Sequence, residues 1–468
     1  MSRAPVIELK RELGLWSAAA VVVGTIIGSG LFLVPKTMVL RVGSVEMVLL
    51  VWVAGGLLSL FGALTYAELA AALPEAGGEY VYLREAYGPV WGFLYGWTQT
   101  WVAKAGSIAT LATGFSYYLA NFWPGLEKVF LAIPLPIGPG GGPLEIRFGQ
   151  ISGMALIVLL TGVNCVGVRF GGRVQVAATL AKIALIVAII AIGLLATQGR
   201  ISHFRSAIPV TAGASGFFAA LVAALWAYDG WNNIAMAASE VRNPQKNLPR
   251  AIIWGTCLVI VIYLLTNIAY FYVLPASEVA ASDRVAAEMM RRILGAPGAA
   301  AVSLAAMISI FAALNGSILS GSRVPYAMAR DGYFFKDVAS VHPRFHTPSV
   351  SLQTLGAWSA VLVLSGRYEQ LFTYVIFASW ILYGMTAASV IVLRIRKPQL
   401  VRPYRTRGYP LVPVVFVLIA SALVASTLFD SPRESLFGLG IICCGMPFYF
   451  HWKKRRHSLI AHSENRHY

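Results

Sequence analysis

The chain has 468 residues, of which 57% are hydrophobic and only 12% are charged. Soluble domains carry about 25% charged residues, so the composition excludes a soluble protein of this size. The net charge of +17 is spread between apolar segments and forms no single basic face, which argues against a nucleic-acid partner. The composition therefore predicts an all-α integral membrane protein whose surroundings are the lipid bilayer.

Apolar segments that are long enough to cross a bilayer recur along almost the whole chain. A membrane helix needs about 20 mostly apolar residues, because its backbone polar groups must be hydrogen-bonded within the segment. Glycine, proline and charged residues divide the sequence into twelve such segments. We predict transmembrane helices at 14–35, 46–73, 90–122, 150–168, 174–197, 213–240, 250–275, 298–321, 350–365, 369–394, 410–430 and 435–451.

Positive charge is divided unequally between the two sides of this arrangement. Of the 37 Lys and Arg residues, 24 fall on the side of the N-terminus, 11 on the opposite side and 2 inside helices. Lys and Arg are retained on the cytoplasmic side of membrane proteins. Both termini are therefore predicted to be cytoplasmic, in a multi-pass protein of the cell membrane. The first segment has no small-residue cleavage site after it, so we expect it to remain in the mature chain.

Connecting segments and cysteines show no catalytic pattern. The segment 123–149 is predicted to be a turn-rich external loop, and 276–297 could carry a short interfacial helix. The four cysteines lie in apolar segments without metal-ligand spacing, which predicts small core residues. Paired acids, a metal-ligand set and a Ser/His arrangement are all lacking, so we expect neither an enzyme nor a cofactor. The cysteines are Cys165, Cys257, Cys443 and Cys444.

The first apolar segment contains the sequence GTIIGSG at 24–30. Each glycine costs a helix about 1 kcal/mol relative to alanine, and an unwound backbone in lipid is tolerated only where it lines a cavity or is buried. Such a break offers N–H groups to a carboxylate and carbonyl groups to an ammonium, so it suits a zwitterion. The alternative is a small-residue packing face, which the spacing of Gly24 and Gly28 also fits.

The sixth segment repeats this irregularity at 225–233, with the sequence LWAYDGWNN. Two interrupted helices at corresponding positions of two halves indicate an inverted-repeat transporter with its substrate near the middle of the bilayer. Each half then holds five helices, and the odd number inverts the second half. We predict one transporter domain at 1–450, with repeats at 13–197 and 213–394, two added helices at 410–451 and a basic cytoplasmic tail at 452–468.

Charged residues inside membrane segments are functional hypotheses, because they are costly in lipid. Asp229 could attract a cationic side chain, take part in proton coupling or cap the broken helix. Lys182 could donate to carbonyl groups of the first helix in place of a coupling cation, or its ammonium could extend to the cytoplasmic interface. Lys104 is expected to face the interior, with an open role. Glu68 is expected to be a structural hydrogen-bonding residue.

Several motifs in this order resemble the amino acid–polyamine–organocation superfamily, specifically its L-type amino-acid transporter branch. The resemblance covers about residues 12–450. Beyond the two glycine-containing segments, it includes Tyr66-Ala67-Glu68-Leu69 with Gly77-Gly78-Glu79-Tyr80, Asn243-Pro244 with Asn247-Leu248-Pro249, Asn315-Gly316-Ser317 with Ser322-Arg323, and Arg396-Lys397-Pro398.

The resemblance implies a five-plus-five inverted-repeat, leucine-transporter-like fold with broken helices 1 and 6. It also implies sodium-independent exchange of L-amino acids by alternating access. Lys182 matches the lysine that stands where sodium lies in sodium-coupled relatives, and Trp226 matches the aromatic gate. Asn232 would support the unwound segment. The substrate-binding residues implied are Ile26, Gly28, Ser29, Gly30, Trp226, Ala227, Asp229 and Asn232.

Two departures bear on substrate and partner. Many neutral-substrate members have glycine at the position of Asp229, whereas members similar to the cystine and dibasic exchanger have aspartate. Neutral amino acids are the leading expectation, and cationic or proton-coupled transport and a non-transporting sensor are the alternatives. Residues 123–149 contain no cysteine. We therefore expect no disulfide-linked heavy subunit, as in bacterial-type relatives.

Overall fold

The computed structural model describes residues 8–134, 144–210, 213–364, 368–430 and 432–464, and most of them are helical. The helices up to the middle of the chain are α1 (Leu15–Ile26), α2 (Gly30–Val42), α3 (Val45–Ala72), α4 (Glu79–Tyr87), α5 (Pro89–Thr98), α6 (Lys104–Leu119), α7 (Phe148–Cys165), α8 (Val168–Leu194), α9 (Gly213–Ala227) and α10 (Asn233–Met236). Those that follow are α11 (Pro244–Val273), α12 (Ala276–Ala281), α13 (Val285–Leu294), α14 (Ala296–Gly321), α15 (Arg323–Arg330), α16 (Ser349–Leu364), α17 (Tyr368–Arg396), α18 (Leu411–Asp430), α19 (Pro432–Cys443) and α20 (Gly445–Glu464).

Eight helical stretches of the described chain are long and apolar enough to cross a membrane. Two shorter apolar helices lie at Ser215–Ala227 and Ser349–Leu364. The prediction of a mostly helical, multi-pass membrane protein is confirmed, while the count of twelve spans and the inverted repeat stay predictions. The eight stretches are Leu15–Val42, Val45–Ala72, Phe148–Cys165, Val168–Leu194, Pro244–Val273, Ala296–Arg330, Leu411–Phe429 and Ser435–Arg456.

The outer surface of the helices is apolar, and the cysteines correct one expectation. Large side chains such as Leu195 and Trp254 are exposed on this surface. Lipid is as apolar as a protein interior, so an apolar side chain has no strong preference for the core of a membrane protein. The prediction that the cysteines are core residues was wrong: Cys443 and Cys444 are exposed, and the other two are partly buried.

The glycine-containing segment interrupts the first helix as expected. Helix α1 ends at Ile26 and α2 begins at Gly30. At the break, the Gly28 N–H donates to the Ile26 carbonyl at 2.8 Å, a bond over two residues that replaces the helical pattern. Gly24 lies in close packing, as the alternative interpretation of this segment expected, because a Cβ there would be only 2.0 Å from Gln175 Nε2 of α8. The segment thus combines a packing position with a helix break.

The sixth predicted span is interrupted as well. Helix α9 ends at Ala227, and the short α10 begins at Asn233. Between them Gly230 has φ of +116°, a conformation that L-residues rarely adopt. The span predicted at 213–240, with an interruption at 225–233, thus consists of two helices followed by a 3₁₀ turn at Ala238–Glu240.

Segments between the long helices contain more structure than expected. Strands β1 (Val129–Ile133) and β2 (Leu144–Arg147) form an antiparallel pair within the predicted turn-rich loop, where 135–143 lie outside the described residues. The segment 276–297 contains two short helices, α12 and α13, and their interfacial position stays a prediction. The predicted cytoplasmic tail begins inside α20, which extends to Glu464, and residues 465–468 lie outside the described part.

Ion pairs hold the end of the bundle that contains the C-terminus of α3. Glu68 accepts hydrogen bonds from Arg394 Nε at 2.9 Å and Arg394 Nη2 at 2.6 Å, and from the Thr406 N–H at 2.7 Å. The fully buried Arg323 makes a bidentate pair with Glu240 at 2.6 and 3.0 Å. These contacts connect distant segments of the chain and agree with the structural role predicted for Glu68.

Candidate functional site

A cavity lies where the two helix interruptions meet. The volume open to the centres of water molecules is about 50 Å³. One water molecule needs about 10–15 Å³ by this measure. Asn232 is not among the described residues that line it, whereas its neighbour Asn233 is. The other predicted binding residues all line it, namely Ile26, Gly28, Ser29, Gly30, Trp226, Ala227 and Asp229.

One wall of the cavity is the N-terminal end of α2. The first N–H groups of a helix have no partner within the helix, and the helix dipole places partial positive charge there. Ser29 and Gly30 lie at this end and line the cavity. The wall can therefore receive a carboxylate through backbone N–H groups.

Residues of both interruptions that line the cavity also carry carbonyl groups near one hydroxyl. The Tyr263 hydroxyl lies 2.9 Å from the carbonyl oxygen of Ile26 and 2.9 Å from that of Ala227. A phenol has one proton and can donate to only one of these oxygens at a time. A lone pair therefore remains on the other carbonyl, where an ammonium group could be bound.

The ammonium group of Lys182 lies beneath the break of the first helix. Its Nζ donates to the carbonyl of Gly24 at 2.7 Å and to that of Ile27 at 2.6 Å, and the side chain is fully buried. The Ser309 hydroxyl donates to the Ile27 carbonyl at 2.9 Å. Of the two alternatives for Lys182, the structure shows the first, in which the ammonium group donates to carbonyls of the broken helix. The side chain therefore does not extend to the membrane interface.

The two interruptions touch through glycine. A Cβ on Gly30 would lie 2.9 Å from the Cα of Ala227, and one on Gly230 would lie 2.9 Å from the carbonyl carbon of Thr25. The Thr25 hydroxyl also lies 2.9 Å from the Gly230 carbonyl. Any side chain at either glycine would separate the two backbones. These glycines therefore set the width of the cavity.

A second cavity adjoins the first at Trp226 and Asp229. Its volume, by the same measure, is about 60 Å³. Its wall includes the ammonium group of Lys104 and the carboxylate of Asp229, which accepts a hydrogen bond from the Tyr383 hydroxyl at 2.9 Å. The two charges attract each other across this space. The region beyond Trp226 thus carries one positive and one negative side chain.

The amino-acid sequence matches a known family along most of its length. The family model described as "Amino acid permease" matches residues 13–437. The chain belongs to the amino acid permease family. The expected resemblance to this superfamily is confirmed, and this permease is a transporter and not an enzyme.

Curated relatives of the permease are similar over nearly their whole length. The mouse (Mus musculus) b(0,+)-type amino acid transporter 1 is 35% identical over 95% of this chain and 88% of its own. The serine/threonine exchanger of Bacillus subtilis is 33% identical over 96% and 98%. The human cystine/glutamate transporter is 31% identical over 95% and 85%. These names cover several substrates, so similarity alone does not select one for this permease.

Sequence reasoning missed three residues that organise the permease site. Tyr263 and Ser309 bind backbone carbonyls of the first interruption from α11 and α14. Glu79 accepts a hydrogen bond from Asn232. The first two are ordinary polar residues in apolar helices, with no distinguishing pattern. Glu79 had a signal, because a carboxylate follows the glycine pair Gly77-Gly78 next to a membrane segment.

Proposed function

We propose that this permease exchanges L-amino acids across a cell membrane by alternating access, independently of sodium. The observation that carries the proposal is the cavity that is lined by residues of both helix interruptions, among them Ser29 and Gly30 at a helix N-terminus and Ile26 and Ala227 at helix ends. A helix N-terminus and the carbonyl groups at helix ends match the carboxylate and ammonium groups that every amino acid shares. The named relatives transport or exchange amino acids, which supports the same conclusion.

The α-carboxylate would accept hydrogen bonds from the backbone N–H groups of Ser29 and Gly30. The α-ammonium would bind the carbonyl that Tyr263 leaves free, either that of Ile26 or that of Ala227. Trp226 would cover the bound molecule, since its side chain borders both cavities. Lys182 already supplies a positive charge to the first interruption, so a sodium ion is not needed there.

Contacts at both ends of the first interrupted helix support alternating access. At one end, Lys36 of α2 pairs with Asp283 at 2.6 Å. At the other end, the Leu13 N–H donates to the Glu240 carbonyl at 2.9 Å, and the Arg242 N–H donates to the Leu13 carbonyl at 2.8 Å. The cavity lies between these contacts, so releasing one set would open it to one side of the membrane. Solvent-exposed ion pairs such as Lys36 with Asp283 are weak and can be broken readily.

We propose twelve transmembrane helices in a five-plus-five inverted repeat, with both termini cytoplasmic. The eight long apolar stretches and the two interrupted helices support this arrangement. The chain is proposed to act without a disulfide-linked heavy subunit, since 123–149 contains no cysteine.

Exchange by purified protein is the test of this proposal. We expect saturable uptake of labelled amino acid into liposomes that are preloaded with amino acid and little uptake into empty liposomes. Replacing sodium by potassium should leave the rate unchanged. Binding without flux would instead favour a non-transporting sensor, and uptake into empty liposomes driven by an inward proton gradient would favour a proton-coupled permease. Indifference to all twenty amino acids would refute transport.

Neutral amino acids are the substrates that we propose first. Lys104 offsets the negative charge of Asp229, and Tyr383 already donates to that carboxylate. An uncharged side chain therefore enters the second cavity without disturbing a charge balance. Cationic amino acids are the alternative, because Asp229 borders both cavities and could bind a positive side chain.

Competition by lysine and arginine separates these two substrate classes. If neutral substrates are preferred, excess lysine should inhibit exchange equally weakly in the wild type and in Asp229→Gly. If Asp229 binds a cationic side chain, inhibition should be strong in the wild type and should weaken about 10-fold or more in the variant, as expected for loss of a charge-assisted hydrogen bond. Glu127→Gln is the matched control, because it changes a carboxylate that lies away from both cavities, in the 3₁₀ turn Pro124–Glu127.

A further inference from the structure

Two opposite buried charges hold the asparagines that follow the interruption of the sixth predicted span. Asn232 Nδ2 donates to Glu79 Oε1, and Lys104 Nζ donates to Asn233 Oδ1 at 2.7 Å. Glu79 and Asn232 are fully buried, and Lys104 and Asn233 are nearly so. Asn232, at the end of the unwound segment, is thus held by a side chain from α4, and Asn233, the first residue of α10, by a side chain from α6.

The backbone brings Glu79 to this place through a close approach. The Gly77 N–H donates to the Met236 carbonyl at 2.8 Å. A Cβ on Gly78, which has φ of +55°, would lie 2.9 Å from the Met236 nitrogen. The start of α4 is therefore docked against α10. Because the contact is backbone to backbone, Glu79 has little freedom to move away from Asn232.

Stability alone does not account for a carboxylate at this position. Glu79 Oε2 and Asn232 Oδ1 are buried and make no hydrogen bond of good geometry, although the hydroxyl groups of Tyr95 and Tyr383 lie near these side chains. Buried polar atoms without partners are unfavourable, and an apolar residue of similar size would avoid that cost. Lys104 attracts the Glu79 carboxylate as well as that of Asp229, and its single charge balances only one of the two. Costly polar groups inside a membrane protein are by default functional.

We propose that Glu79 is a positioning residue for substrate binding. It holds Asn232, and through Asn232 it fixes the unwound backbone that carries Asp229 and the carbonyl group of Ala227. Lys104 holds the next residue, Asn233. This inference rests on the proposed amino-acid exchange. Since Glu79 acts on the backbone segment whose carbonyl group would bind the α-ammonium group that all substrates share, its loss weakens binding of all substrates by the same factor.

Exchange kinetics in preloaded liposomes test the inference. We expect Glu79→Ala and Asn232→Ala each to raise KM about 10-fold, by the same factor for every substrate, with a smaller change in maximal rate. Glu79→Gln keeps an oxygen that accepts from Asn232, so its KM should stay within about 3-fold of the wild type. The double variant Glu79→Ala/Asn232→Ala should be no worse than Glu79→Ala alone, because both changes remove one shared interaction.

The control variant is Glu85→Gln, on the same helix but paired with Lys397 away from the cavity. It should retain the wild-type KM. A monodisperse Asn232→Ala or Glu79→Ala protein with wild-type KM overturns the positioning role, as does a KM that rises for one side-chain class only. If Glu79→Ala fails to fold, Asn232→Ala and Glu79→Gln still decide the question. Absence of exchange in the wild type overturns the proposed function itself, which separates the two failures.

Discussion

Replacement of Lys182 by methionine is expected to reduce the exchange rate about 100-fold or more, because two buried carbonyls lose a charge-assisted donor. Methionine has a similar length and keeps the packing, so the change removes mainly the ammonium group. The Gly24 carbonyl, now 2.7 Å from Nζ, would lose this donor in a dry interior, and the Ile27 carbonyl, now 2.6 Å from Nζ, would keep only the Ser309 hydroxyl. We expect the first interruption to close or shift, with loss of the N–H wall at Ser29 and Gly30.

The measurement is exchange in preloaded liposomes, with size-exclusion chromatography and thermal unfolding to show that the variant is folded. Each unsatisfied buried carbonyl costs about 1–3 kcal/mol, so a lower unfolding temperature should accompany the loss of exchange. Lys128→Met, which changes an exposed lysine before β1, is the matched control and should match the wild type in both assays. A Lys182→Met protein that exchanges at the wild-type rate would show that the ammonium group is not required.

Replacement of Gly230 by alanine is the second change with a large expected effect. Alanine must adopt φ of +116°, and its Cβ would lie 2.9 Å from the carbonyl carbon of Thr25. Sparsely populated backbone conformations cost about 1–3 kcal/mol, and the contact pushes the two interruptions apart. We expect exchange to fall at least about 10-fold, because the groups of the two interruptions no longer lie at the distance that a zwitterion needs.

Gly88 provides a control that separates backbone strain from the steric contact. It has φ of +104°, close to that of Gly230, but a Cβ there would meet nothing within 4 Å. Gly88→Ala should lower the unfolding temperature and keep the wild-type KM. If Gly230→Ala lowers stability by the same amount as Gly88→Ala and keeps the wild-type KM, the close approach to Thr25 has no part in substrate binding.

The class of protein and the place of the site could be predicted from local properties of the sequence. Long apolar segments with few charges must be membrane helices, because lipid offers no partner to backbone polar groups. The glycines of 24–30 and Gly230 weaken a helix wherever they occur, so the two interruptions were visible without a structure. Of the eight binding residues that the family resemblance implied, seven line the cavity beside these interruptions.

Side-chain partners could not be predicted in the same way. Lys182 had two alternatives in the sequence, and only the packing of α8 against α1 places its ammonium group at two carbonyls 155 and 158 residues away. Tyr263 meets Ile26 across 237 residues. A hydrogen bond between such distant residues depends on helix orientation, which no local pattern contains.

Apolar length and glycine act locally, so the sequence by itself determined that this chain is a multi-pass membrane protein with two weakened helices, and its motifs indicated the permease family. The tertiary structure decided which polar groups face the weakened segments. It placed Lys182 and Tyr263 at the interruption of the first predicted span, and Glu79 with Asn232 at the interruption of the sixth predicted span. It also placed two cysteines on the apolar outer surface. The reason is common to all of them: burial and hydrogen bonding inside a bundle are properties of helix faces that meet, and those faces meet only in the folded chain.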